Sequence, residues 1–164
     1  MILNDLHVLT AGERHAFGRP PQEQVFQPGT VLHRFVTRGE NASQGDWWVT
    51  SATLELLRTH ATRSKVPLAN VVRARLAIAR HWSPRLDFLV SARLSIAARG
   101  WVGAARHQRV DATRANANVV FLGGTEQVLL PNLLGDTHRT QPKVRKAHGS
   151  LPSPRAVVIA HQRL

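Results

Sequence analysis

The chain of 164 residues contains no cysteine and no tyrosine. Without cysteine there is no disulfide framework and no thiolate chemistry. Zinc would have to be held by histidine and carboxylates alone. The nine histidines are scattered, with none at a ligand spacing such as His-Glu-x-x-His, so no metal is expected. A fold without cysteine is also indifferent to redox compartment, which suits a reducing cytoplasm and equally a domain carried across membranes. Aromatic residues are few: five Phe and four Trp make a sparse platform for stacking bases, which argues against single-strand binding as the main role. No apolar run approaches the roughly 18 residues of a membrane span. Residues 1–10 are interrupted by Asn4, Asp5 and His7 and lack a basic start, so no signal peptide is expected. A cytoplasmic protein, or one delivered into a target-cell cytoplasm by a specialised secretion route, fits these absences. Neither a GxGxxG nor a GxxxxGK[ST] phosphate loop is present.

What is present is an ordinary apolar share of 43% and a large excess of positive charge, 22 Lys and Arg against 10 Asp and Glu. One hydrophobic core and one domain are expected at this length. The excess lies in the middle, where residues 51–110 hold 11 basic and two acidic side chains, and in the tail, where residues 134–164 hold six and one. Only Lys65, Lys143 and Lys146 are lysines. Arginine grips phosphate through a planar fork, so an arginine-rich surface fits RNA or another polyanion. It fits equally an acidic protein partner, or a solvated surface shaped by coding bias.

Residues 1–29 carry two turn-rich breaks, Gly18-Arg19-Pro20-Pro21 and Gln27-Pro28-Gly29, and read as a lead-in to a core over 30–134. Residues 31–36 and 46–50 read as short strands. Leu54, Leu56, Leu57 and Ala61, with Glu55, Arg58 and Arg63 on other faces, predict a helix over 53–64 capped by Ser51 or Thr53. Two segments then alternate apolar residues with arginine, serine or alanine: 72–79, around Arg73 and Arg75, and 90–97, around Arg93. Period two predicts strands, which would gather Arg73, Arg75, Arg93 and the nearby Arg99 on an open face as a polyanion surface. The first segment also fits an amphipathic helix. Residues 100–103 read as a turn or bulged strand, and 119–122 and 126–130 as strands around Gly123-Gly124. Residues 135–164 form a basic tail with one further edge strand at 156–160. The pattern of short strands with one or two helices and little βαβ alternation makes the fold class α+β.

Chemistry concentrates in three places. His33-Arg34 stands inside an apolar strand, where a charge needs a partner or a cleft. Trp47-Trp48-Val49-Thr50-Ser51 sets two hydroxyls directly after two indoles. Thr125-Glu126-Gln127 leads into Val128-Leu129-Leu130-Pro131. In this order the three elements resemble the arginine–serine–glutamate class of mono-ADP-ribosyltransferases, over roughly residues 29–132. The arrangement is also similar to the carboxy-terminal toxin domains of bacterial polymorphic effectors. In that family an arginine follows an aromatic residue on the first core strand, an aromatic-Thr-Ser element follows on the next, and a Glu-x-Glu or Gln-x-Glu pair enters a Val-Leu-Leu-Pro-like run.

The resemblance implies a small split β-sandwich that uses NAD as substrate to modify a protein or nucleic-acid acceptor, or to hydrolyse NAD. Arg34 would bind the pyrophosphate, with His33 in the aromatic slot. Thr50 and Trp48 would help bind NAD, and Trp47 or Trp48 would stack on the nicotinamide. Ser51 would hold the nicotinamide ribose or the neighbouring strand. A carboxylate would stabilise the cation that develops as the nicotinamide–ribose bond breaks. Here the chain departs from the family, because Gln127 stands where the catalytic glutamate belongs. Glu126 lies one residue earlier, and a one-residue shift turns a strand side chain to the opposite face. A bulge at Gly123-Gly124 would bring Glu126 into the cleft as the acid. Otherwise Gln127 occupies the site.

Simpler structural roles stay open at each position: Arg34 as partner to Glu40 or Asp46, Ser51 as a helix cap, Glu126 as a turn carboxylate, His33 as a core imidazole. Two rival functions also stay open. One is a metal-independent ribonuclease or RNA-binding module using His33, His60, His81 or His107 as acid and base. The other is a catalytically silent docking domain, favoured by Gln127. An acidic immunity or antitoxin protein is a partner under the toxin reading.

Overall fold

A computed structural model describes residues 5–37, 45–78, 85–109, 120–131, 133–134 and 156–164. The first helix, α1 (Ala11–Ala16), starts at a capping box: the Thr10 hydroxyl accepts from the Glu13 backbone N–H while the Glu13 carboxylate accepts from the Thr10 N–H. This reciprocal pair satisfies two donors that a helix start otherwise leaves open. β1 (Gln22–Phe26), β2 (Val31–Val36) and β3 (Trp47–Thr50) follow. α2 (Ser51–Ser64) begins directly where β3 ends. Its N-cap is Thr50, whose side chain accepts from the Thr53 N–H, so the helix starts two residues before the predicted 53 and neither Ser51 nor Thr53 caps it. Lys65, in the left-handed region with φ of 53°, ends the helix.

The segment around Arg73 and Arg75 is not a strand. It is α3 (Leu68–Arg75). Alternation over 72–76 fits both periods, but Leu68, Val71, Val72 and Leu76 are spaced along one helical face and pack against Leu54, Leu57 and Ala61 of α2. Burial on that stripe decides the outcome. The expected arginine face is lost with it. β4 (Phe88–Leu94) forms in the second alternating segment, and of the turn or bulged strand expected over 100–103 the structure has a strand, β5 (Ala98–Ala104), paired to β1 and to Glu126–Leu129 without a bulge. β6 (Gln108–Arg109) and β7 (Val120–Phe121) make a small two-stranded ladder. β8 (Glu126–Leu129) and β9 (Ala156–Arg163) complete the described elements.

The fold is α+β: a seven-stranded antiparallel sheet in the order β1-β5-β8-β3-β2-β4-β9, with three helices among the described residues. The sheet splits at β3. Trp47 and Trp48 pair with Leu129 and Val128 of β8, whereas Val49 and Thr50 pair with His33 and Leu32 of β2. A four-residue strand thus serves two half-sheets with its two ends. A central apolar cluster draws on both halves, with Leu32, Ala92 and Leu94 from one, Val102 and Val128 from the other, and the buried Trp48 between. α2 and α3 cover the β2–β4 half over Phe35, Val49 and Leu89. Leu9 and Phe17 from the N-terminal segment cover Leu129, Trp47 and Trp101 on the other. This layering is a small split sandwich. No helix of the described residues is long and apolar enough to cross a membrane.

Candidate functional site

A cavity of about 640 Å³ opens where the two halves part. Its walls come from α1 (Gly12, Glu13, Ala16), β2 (His33, Arg34, Phe35), Gly45 and Asp46 just before β3, Trp47 to Val49 of β3, the turn after α3 (Leu76 to Ile78), and Arg106, Gln108 and Gln127. Two guanidinium groups and two carboxylates, those of Glu13 and Asp46, therefore share one concave surface with two indoles, a combination typical of small-molecule sites.

β2 and β8 supply the residues that sequence order alone had linked. Arg34 lines the cavity with Gly45 packed directly beneath its guanidinium. On β8 the ladder to β5 is regular, with Glu126 opposite Ala104, Gln127 opposite Gly103, Val128 opposite Val102 and Leu129 opposite Trp101. Gln127 shares the face of Leu129, turned toward Phe17 and Trp47. Glu126 shares the face of Val128 and is exposed at the strand's start. Gly123 and Gly124 both take positive φ, 65° and 84°, and at Gly123 a Cβ would meet the backbone of Ala105 and Arg106. Glycine is required there, yet the turn ends before β8 and produces no bulge within it. The expectation that Glu126 enters the cleft is therefore corrected: Gln127 lines the cavity and Glu126 does not. The Gln127 Nε2 donates to the Ala16 carbonyl at 3.2 Å, which leaves its amide oxygen as an acceptor.

His33 is buried, and both ring nitrogens face serine hydroxyls: Nδ1 lies 2.8 Å from Ser91 Oγ and Nε2 lies 3.0 Å from Ser51 Oγ. Ser91 is the direct cross-strand partner of His33 on β4. Because Thr50 takes the cap, the Ser51 hydroxyl is released for this bond. A neutral imidazole donates from one nitrogen and accepts at the other, and hydroxyls can match either role. Burial, reinforced by the nearby Arg58 charge, holds the His33 pKa below its ordinary value and favours this neutral form.

The remaining predicted residues divide. Trp47 lines the cavity, tilted against Phe17 with ring centroids 5.3 Å apart. Trp48 also contributes to the wall, and its buried indole N–H finds no partner among the described residues. Thr50 and Ser51 do not line the cavity; their hydroxyls serve the start of α2 and His33. Arg73 is buried on α3 and donates to the Ile78 carbonyl at 3.1 Å, and Arg75 lies 3.4 Å from His60 Nδ1. Arg93 is exposed on β4, while Arg99 pairs with Glu23 at 3.0 Å between β5 and β1. These four arginines lie on three different elements rather than one open face. Glu40 and His81 lie outside the described residues, and His33, His60 and His107 stand on β2, on α2 and before β6. Among the described residues no three His, Asp or Glu side chains gather as a metal-binding group.

Sequence reading missed Glu13, Arg106 and Gln108. The Thr10-x-x-Glu13 capping box was a legible helix start; that its helix would wall the cavity was not. Arg106 is held by its Nη1 at 3.0 Å from the His15 imidazole.

No family profile and no curated protein matches this chain. Two solved structures do. Tne2, solved in complex with Tni2, is 11% identical over 90% of this chain and 94% of its own, with a TM-score of 0.51. Rhs1-CT, solved in complex with its cognate immunity protein RhsI1, is 19% identical over 79% of this chain and 88% of its own, with a TM-score of 0.51. The likeness is one of fold.

Proposed function

We propose that this chain is a toxin domain that cleaves the nicotinamide–ribose bond of NAD, passing ADP-ribose to a protein or nucleic-acid acceptor or to water. One observation carries the reading: Arg34, the Trp47-Trp48 pair and Gln127, read from three separate stretches of sequence, line the same cavity. Each suits part of the substrate. Arg34 and Arg106 offer forked donors for a pyrophosphate. Trp47 offers an aromatic face for the nicotinamide. The Gln127 amide oxygen accepts from a ribose hydroxyl, a bond that strengthens as positive charge develops on the ring. His33, neutral and held between two serines, supports the strand from which Arg34 projects.

The toxin part of the reading draws on the fold shared with Rhs1-CT, a protein that has a cognate immunity partner. A chain with this excess of basic side chains suits an acidic immunity protein, because complementary charge speeds encounter. The test is incubation of the purified chain with NAD, with and without RNA, followed by chromatography. Release of nicotinamide is expected. RNA shortening with NAD intact would establish the ribonuclease reading instead, and neither change would leave a docking domain.

A further inference from the structure

The cavity needs an anion where the core strands supply none. Gln127 is neutral, Glu126 is exposed outside the cavity, and Arg34 and Arg106 add positive charge. NAD brings a cationic nicotinamide ring as well as its pyrophosphate, and cleavage moves positive charge onto the ribose. Two carboxylates line the cavity, Asp46 in the segment just before β3 and Glu13 on α1; without a carboxylate the guanidinium groups would favour the phosphates and oppose the reaction.

Glu13 stands on the wall in question. Gly12, Glu13 and Ala16 lie along one face of α1, and all three line the cavity. The segment that carries them is fastened at several points to the strands beneath. The Trp101 indole N–H donates to the His7 carbonyl at 2.7 Å. The Ala16 carbonyl accepts from both Gln127 Nε2 at 3.2 Å and the Arg106 N–H at 2.9 Å. The Gly18 N–H donates to the Ala104 carbonyl at 2.9 Å. Gln127 is thus tied to the helix that carries Glu13, one turn from it. The carboxylate itself is fixed: its Oε2 accepts from the Thr10 N–H at 2.7 Å, and His7 Nε2 lies 2.9 Å from Oε2 and 3.0 Å from Oε1. Burial raises its pKa, but the bonds from Thr10 and His7 and the His7 charge outweigh this and hold it below the ordinary value. Glu13 is therefore an ionised, oriented carboxylate at neutral pH, and a carboxylate has lone pairs beyond those that these two partners use.

We infer that Glu13 is the catalytic carboxylate of this site, brought to the cavity by the N-terminal helix in place of the glutamate that β8 lacks. The inference rests on the NAD-cleavage reading above. In the step it serves, the ribose C1′–N bond breaks and its electron pair leaves with nicotinamide, whose ring nitrogen becomes neutral. The ribosyl cation, stabilised by Glu13, is then captured by water at C1′, and the water's second proton passes to solvent. Its low pKa makes Glu13 a stabiliser of charge rather than a strong base.

The decisive comparison is Glu13→Gln against Asp46→Asn and Glu126→Gln, measured as nicotinamide release under saturating and limiting NAD. Glutamine keeps an oxygen for the Thr10 N–H, so the cap survives. Glu13→Gln is expected to lower kcat by about 10²-fold with KM within about threefold, the pattern of a contact made mainly in the transition state. Formate added to Glu13→Ala is expected to restore part of the lost kcat while leaving the unfolding midpoint of that variant unchanged, whereas repair of a purely structural role would raise both together. Glu126→Gln should match the parent. A kcat for Glu13→Gln within about threefold of the parent, or a larger loss in Asp46→Asn, overturns the inference while leaving NAD cleavage in place. A parent chain that releases no nicotinamide overturns both.

Discussion

Gly45 lies directly under the Arg34 guanidinium, so close that a Cβ at position 45 would overlap the guanidinium carbon and two of its nitrogens. Arg34 is long and flexible, so the head group would move before the backbone did. Gly45→Ala is therefore expected to leave the unfolding midpoint near that of the parent while weakening NAD binding by about tenfold or more, as one charge-assisted contact is lost. Calorimetry on Gly45→Ala, Arg34→Ala and the double variant checks the cause. Both changes act through one guanidinium, so the double variant should bind little worse than Arg34→Ala alone.

β8 register makes a second test. Gln127→Ala is expected to cut nicotinamide release by about 10- to 100-fold. It should also cost about 1 kcal/mol of stability through the lost bond to the Ala16 carbonyl. Glu126→Gln should change neither by a measurable amount. The opposite ranking in turnover would mean that the exposed carboxylate, not the buried amide, meets the substrate.

His33 sets a pH dependence of folding. Its burial disfavours the imidazolium in the folded chain, whereas in the unfolded chain it titrates near the ordinary value of about 6.5. Below that pH the unfolded chain binds a proton that the folded chain resists, so stability present above about pH 6.5 is lost as pH falls. Urea midpoints measured from pH 7.5 down to 5.5 should decline (both about one unit from the ordinary value), and less so in His33→Gln. Glu13, with a lowered carboxylate pKa, adds a separate loss only at more acid pH, below the ordinary carboxylate range.

Arg73 and Arg93 should part company. Arg73 is buried with its Nη1 on the Ile78 carbonyl, so Arg73→Gln is expected to destabilise the chain by about 1–3 kcal/mol. Arg93→Gln, on an exposed position, should fall within about 0.5 kcal/mol of the parent. If RNA binds at all, only Arg75 and Arg93 of this pair of segments can add to its salt dependence, at about 0.7 of a log–log slope unit each. Fluorescence polarisation with a single-stranded RNA near 50 mM salt (roughly the low end used for such slopes) reads this directly.

Strand positions with β-branched and large apolar residues at period two were legible without coordinates. β2 forms over the residues expected, and β3, β4 and β8 form within or near theirs. So was the order of Arg34, the tryptophan pair and Gln127. These are local properties, set by side-chain alternation and by glycine and proline at the breaks. The segment around Arg73 was ambiguous because its alternation over 72–79 also fits an amphipathic helix, and only packing against α2 selects the helix.

The composition and local pattern of the chain determined its α+β class and which residue types could carry chemistry. Only the tertiary structure decided which of them meet. The parity of Glu126 and Gln127 depends on the ladder between β8 and β5, and the place of Glu13 depends on bonds from the N-terminal segment to Trp101, Gln127 and Arg106. Both are contacts between residues far apart in sequence, and neither periodicity nor capping carries information about what a face will be packed against.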